Sequence, residues 1–255
     1  MNIFIIFYFF LIYNVDIIND NINLLRLSYS DKTIFIVGST FLHFFVYWFL
    51  GLFYLIIDMY KINYFKKYKI QSTIYPYNKK MLYNTIKVVL INQIIINPII
   101  AYFLYNFNSG ILDIILPSTI NIIFDLIISL FIVEITFYYI HRLLHLPFLY
   151  KYIHSIHHIY STPIAIGALY AHPLEYIFSN ILPVVLGPLL CNSHYITLLL
   201  FQFMAVVNTV SVHSGYVFPF MINPSGHDIH HMKYKYNFGV IDILDKFHGT
   251  YLEKL

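Results

Sequence analysis

Apolar residues run along this chain in long, nearly uninterrupted blocks, and polar residues gather between them. The stretch "TIFIVGSTFLHFFVYWFLGLFYLII" at 33–57 is apolar on every face of a helix. It is long enough to cross a bilayer, which takes roughly 20 residues. Blocks at 86–105, 117–140, 174–190 and 195–212 predict further spans. Pro98 is expected to break the first of these, and Pro183 and Pro188 to disturb the first arm of a hairpin formed by the last two. Residues 3–18 are also apolar, but they lack the basic start and the small-residue cleavage site of a signal peptide. They are expected to be a spanning helix or an interfacial anchor. The pattern predicts an all-α integral membrane protein with four to five transmembrane helices, read as one structural domain.

The polar segments set the orientation. The loop at 58–84 carries Lys61, Lys66, Lys67, Lys69, Lys79 and Lys80. Lysine-rich loops stay in the cytosol, so this one is expected there. Counting spans then puts the segment at 141–158 on the cytosolic face, and Lys151 agrees. The region from about Phe218 returns to that face with Lys233, Lys235, Lys246 and Lys254.

Composition agrees with this reading. Of 255 residues, 59% are hydrophobic and 11% charged, against about a quarter charged in soluble domains. The net charge of +3 is small and confined to loops, which argues against nucleic-acid binding. One cysteine, Cys191, excludes an intrachain disulfide and a cysteine metal cluster and reads as a small buried apolar residue.

The candidate chemistry lies in histidine. "HRLLH" contains His141 and His145; "HSIHH" contains His154, His157 and His158; "HDIHH" contains His227, His230 and His231. On helices these spacings put each group on one face. Topology puts all three groups at one side of the membrane. Imidazole is the commonest protein metal ligand and suits iron, copper and zinc. A lone histidine is ordinarily a polar or core residue, and one HxxHH group fits either reading. Three matched groups predict a cytosolic histidine-rich cap holding a dinuclear metal site. A haem would occupy two rings and leave six unexplained. His213 in "VHSGY" is a further ligand or a partner to one, and His172 in "YAHPLE" is a ligand or positions a loop. His248 is a weaker candidate, His43 is expected to pack against Trp48 or another helix, and His194 lies in a turn on the far side. Asp228, Glu175, Asp245 and Glu134 are candidate acceptors for ring N–H groups, and Arg142 caps a helix or pairs with a carboxylate. No catalytic residue beyond the metal ligands is expected.

The boxes and their context, "HRLLHLPFLYKYIHSIHH", "YAHPLE", "VHSGYVFP" and "HDIHHMKY…NFG…LDKFHGT", resemble the fatty acid hydroxylase/sterol desaturase superfamily, and most of all its C-4 methylsterol oxidases. The resemblance is dense from about Phe131 to Thr250, while the first 120 residues match in hydropathy alone. Ile159 departs from the acidic residue often seen after the second box. The likeness implies N-terminal transmembrane helices over 1–120 and a catalytic region over 121–255. It also implies two Fe ions, O2, and electrons from NAD(P)H through cytochrome b5 and its reductase. The implied location is the endoplasmic reticulum membrane, with the metal site and C-terminus facing the cytosol.

An unactivated C–H bond offers no acidic proton and no electrophilic carbon, so a metal-bound oxidant must break it. The expected reaction is oxidation of a sterol 4-methyl group. A fatty acid or sphingolipid hydroxylase and a C-5 sterol desaturase are the other enzyme readings. A metal-binding membrane protein for storage or transport is the reading without catalysis. Transporter sites lie near the midplane of inverted repeats, and this chain shows neither feature.

Overall fold

The computed structural model describes residues 17, 20–71, 78–108, 110–112, 116–219 and 221–253. The expected first span at 3–18 lies, Ile17 apart, outside them. Among the described residues the fold is helical, with one isolated bridge between Lys69 and Tyr216. The helices are α1 (Asp31–Tyr60), α2 (Lys79–Phe107), α3 (Thr119–Leu144), α4 (Pro147–Tyr152), α5 (Pro173–Leu190), α6 (Tyr195–Val212), α7 (Ser225–Lys233) and α8 (Ile243–His248). Five of them, α1, α2, α3, α5 and α6, are long and apolar enough to cross a membrane.

Side-chain caps fix where these helices begin. Ser30, Asn78 and Ser118 accept from the backbone N–H groups of Thr33, Met81 and Asn121, satisfying donors that a helix start leaves free. The cap at Asn78 starts α2 well before the apolar block at 86–105. Its polar first turn, Lys79 and Lys80, conceals the helix from a reading of hydropathy.

Pro98 does not break α2. The helix passes through a π turn at Asn92–Ile96 and continues to Phe107. A proline ring clashes with the carbonyl four residues earlier. Here that residue is Ile94, inside the widened turn. α5 repeats the arrangement, with a π turn at Tyr176–Ile181, Pro183 after it, and Ser179 at the equivalent position.

Contacts at the helix ends establish alternating directions. At one end Tyr216, just past α6, donates to Asp58 near the end of α1 at 2.7 Å. At the other end Lys32 donates to Asn106 at 3.0 Å and Ser193 donates to Asp125 at 2.8 Å. All three histidine segments therefore gather where α1, α3 and α6 finish and where α2 and α5 begin.

The outside of the bundle is greasy. Phe41, Phe45 and Phe49 are exposed and stack along α1 at 5.9 and 6.1 Å. Ile120, Phe124, Ile127, Phe131 and Ile135 form a similar exposed stripe on α3. Such continuous patches belong in lipid. Inside, Tyr47, Tyr54, Val89, Leu169, Tyr176 and Val210 belong to one core cluster drawn from both halves of the chain.

Helices in lipid associate where small residues let backbones approach. α3 and α5 cross at Gly187, where an added Cβ would lie 2.5 Å from the Ser129 Cα. Backbone cannot yield as a flexible side chain can. Gly187→Val should therefore force the crossing apart and destabilise the fold by about 1–3 kcal/mol. A lower Tm of the purified protein in detergent, against an unchanged Tm for an exposed control such as Phe45→Leu, checks this.

Candidate metal centre

Three kinds of local structure present the rings. His141 lies in the last turn of α3 and His145 is its C-cap. His154, His157 and His158 lie on a 3-10 helix, His154–Ile159, where an α-helix was expected. The tighter winding aims the three rings differently from α-helical spacing. His227, His230 and His231 lie on α7, as the spacing predicts, and His213 caps the end of α6.

Folding sorts these rings into two sets. One contains His141, His145, His154, His158 and His230, and the other His157, His213, His227 and His231. Within each, one nitrogen per ring lies within 4.8 Å of all the others. A metal with bonds of about 2.1 Å needs opposed ligands about 4.2 Å apart, so small inward movements complete either set. The sets adjoin, with the rings of His158 and His231 4.4 Å apart.

The outward nitrogens of five rings are held, while Nδ1 of His157 and His158 is buried without a partner among the described residues. Nδ1 of His141, His213, His230 and His231 meets the backbone carbonyls of Phe238, Thr209, Tyr236 and Tyr160 at 2.9, 2.7, 2.7 and 3.0 Å. A carbonyl only accepts, so each of these rings carries its proton on Nδ1 and turns the Nε2 lone pair inward. Nδ1 of His154 meets Glu175 Oε1 at 2.7 Å.

The inward nitrogens face one another. His145, His154, His158 and His230 make four Nε2–Nε2 contacts of 3.0–3.2 Å. His157, His213, His227 and His231 make three more at 2.8–3.1 Å. An imidazole nitrogen holds one proton or one lone pair, so each can join one hydrogen bond. At most two bonds fit in each set, which leaves at least three close contacts between like groups. Protonation does not relieve them. Burial, reinforced by neighbouring rings, holds His154, His157, His158, His227, His230 and His231 well below the usual imidazole range. Burial takes His145 down to about 3 and His213 to about 4. Clustered, neutral, inward-facing lone pairs fit bound cations, and the residues present fit a dinuclear centre.

The carboxylates act mostly at one remove. Glu175 alone of the four candidates bonds a ring. Asp228 instead accepts from Gln71 at 2.9 and 3.0 Å, and Gln71 accepts from Thr162. Its position on α7 points it across the cap toward the 69–71 segment. Asp245 accepts from the backbone of Phe238 and Gly239 and from the Thr250 hydroxyl. It therefore holds the loop whose Phe238 carbonyl fixes His141. Glu134 accepts from three backbone N–H groups, those of Val240, Ile241 and Leu244. Both carboxylates crowd Gly239, where a Cβ would lie 2.8 Å from Glu134.

Other candidates fall elsewhere. His172 is outside both sets and caps α5, accepting from Leu174. His248 stacks on Tyr138 at 5.2 Å and bonds Tyr139. His43 meets Gln93 on α2 and the edge of Tyr176, and Gln93 also accepts from Trp48. His194 caps α6 at the far end. Arg142 donates to the Tyr138 hydroxyl. Cys191 is half-buried in the turn after α5 rather than in the core. No local spacing announced the carbonyls of Tyr160, Thr209, Tyr236 and Phe238, because every backbone carries a carbonyl.

Comparison with known proteins decides the family. The profile of the family described as Fatty acid hydroxylase matches residues 126–250, which contain all nine rings. A human relative, "Fatty acid hydroxylase domain-containing protein 2", is 37% identical over 85% of this chain and 67% of its own length. The chain belongs to the fatty acid hydroxylase family. Methylsterol monooxygenase 2-1 of Arabidopsis thaliana is 32% identical over 75% of the chain and 70% of its own. Fatty acid hydroxylase ahd1 of Mycosarcoma maydis is 38% identical over 65% and 44%. No solved structure matches.

Two metal-binding substitutions test the geometry. Purified protein should bind about two metal ions per chain, and His213→Ala should lower that stoichiometry measured by elemental analysis. Glu175→Gln should keep the fold and weaken metal affinity about 10–100-fold in a competing-chelator titration.

Proposed function

We propose that this family member is a membrane-bound di-iron oxygenase that oxidises an unactivated C–H bond of a lipid. The observation that carries this reading is the pair of imidazole sets, whose inward lone pairs have no other reasonable counterpart than cations. His141, His145, His154, His158 and His230 would hold one ion, and His157, His213, His227 and His231 the other. Bound there, iron would supply the O2 and one-electron chemistry that side chains lack.

The chain's own residues prepare that site. The carbonyls and Glu175 orient five of the rings before any ligand arrives. Nearly complete burial of His154, His230 and His231 excludes bulk water. Neutral rings leave the metals' charge uncompensated, which favours an anionic or electron-rich ligand. The lipid-exposed helices give a substrate access from the bilayer.

The finer reading is oxidation of the 4-methyl group of a sterol. The context of the boxes and the relatives named methylsterol monooxygenase support it. Hydroxylation of an acyl chain is the second reading, supported by the relative named fatty acid hydroxylase. Cytochrome b5 and its reductase would deliver electrons to the lysine-bearing face. The endoplasmic reticulum membrane is the location that fits such partners.

Expression in a sterol-making yeast lacking its C-4 methylsterol oxidase tests the assignment. Loss of the accumulated 4,4-dimethylsterols with the wild type, and persistence with His157→Ala at equal expression, is the expected result by mass spectrometry. Persistence with well-expressed, iron-loaded wild type would reject the sterol assignment in favour of the acyl one.

A further inference from the structure

Beneath the rings, between α1, α2, α5 and α6, lies a partly open cavity. Its roof is Tyr47, Leu169 and Thr209, and the carbonyl of Thr209 is the one that holds His213. Its floor is Phe35, Leu104 and Leu198. No Lys, Arg, Asp or Glu lines it. Burying an unpaired charge in such a space is prohibitive, so the occupant is neutral there.

Amide side chains enter the walls at one level. Ser39 from α1, Asn97 from α2, Asn180 from α5 and Gln202 from α6 all line the cavity. The Gln202 amide donates to the Ser39 carbonyl at 3.0 Å, which sets those two at the same depth. His43, one turn above Ser39, lies against Tyr176, one turn above Asn180, and bonds Gln93, one turn above Asn97. Asn97 and Asn180 therefore join the same belt.

These groups are not consumed by the fold. The side chains of Asn97 and Asn180 make no hydrogen bond among the described residues, and Asn97 is only 7% exposed. Gln202 Oε1 is buried without a partner. Asn180 is half-buried; the buried groups, Asn97 and the Gln202 oxygen, cost about 1–3 kcal/mol each if left unpaired. Helix glue alone would pair them with one another. An occupant that brings a hydrogen-bonding group to this depth satisfies them, and an alkyl chain pushed through does not.

We propose that Asn97, Asn180 and Gln202 read the distal end of the lipid, limiting the apolar length the cavity accepts and favouring a neutral hydrogen-bonding terminus at the belt. Gln202 precedes His213 by eleven residues on α6, so the belt lies about 16 Å below the rings at 1.5 Å per residue. This inference rests on the lipid-oxygenase reading, and its limit on apolar length applies to a sterol or an acyl substrate alike.

Binding to purified protein tests it without turnover. Radiolabelled saturated fatty acids of stepwise length are suitable ligands, because their carboxylate stays out of the uncharged cavity. Affinity should rise about fourfold per methylene and stop rising once the chain reaches the belt. The ω-hydroxy acid of that limiting length should bind at least fivefold tighter than the plain acid. In Asn97→Leu/Gln202→Leu the break and the hydroxyl preference should both vanish while shorter acids bind as before. Asn180→Leu is the second variant should the double one misfold, and the comparison of acids on wild type needs no variant. Affinity that climbs without a break in wild type, or a hydroxyl preference that survives the substitutions, overturns the belt alone. No binding at any length overturns the belt together with the acyl reading, and the sterol profile in yeast then tests the oxygenase by itself.

Discussion

Seven contacts between imidazole nitrogens, each near 3 Å, are the constraint on which this structure turns. Neutral rings cannot satisfy that many contacts with one proton or one lone pair apiece. Five of the nine rings are held against the obvious escape, which is to swing away. Four carbonyls and one carboxylate grip their outward nitrogens, and burial removes water as an alternative partner. Such preorganisation concentrates donors for cations at the cost of an uncomfortable metal-free state.

The membrane and the cap divide the labour. The five apolar helices deliver His141 and His213 to one end of the bundle, because α3 and α6 run in the same direction. The cap is then fastened from beneath. Glu134 reaches out of α3 to the backbone N–H groups of Val240, Ile241 and Leu244, and Asp245 binds those of Phe238 and Gly239 just before them. The buried pair of Lys69 and Asp58, 2.8 Å apart, ties the segment after α1 to the strand-like stretch after His213. A buried ion pair contributes little net stability. Its value here is positional, since it holds the chain directly after the His213 ring.

The same economy joins the site to the bilayer. Thr209 bounds the cavity with its side of α6 and holds His213 with its carbonyl. Whatever fills the cavity therefore lies one helical turn from the second ring set. The π turns that let α2 and α5 pass their prolines also widen the helices that wall this space. Proline, usually a helix breaker, here accompanies a local rewinding that keeps both helices continuous across the membrane.

Local pattern alone was enough for the spans at 33–57 and 195–212, and the histidine spacing marked eight of the nine convergent rings. Both signals are short-range, one set by bilayer thickness and the other by helical repeat. The ninth ring, His213, has no partner at i+3 or i+4, so its sequence left open whether it is a ligand or a partner to one, and packing decides that it joins a set. Packing also decided that "HSIHH" winds as a 3-10 helix, that Glu175 and not Asp228 bonds a ring, and that His172 caps a helix. Asn97, Asn180 and Gln202 are scattered over more than a hundred residues and line one cavity only because three helices pack around it. Spacing along a chain encodes neighbours within a turn or two. Contacts between residues far apart depend on how whole helices pack, and that is settled by the shapes of all their surfaces together.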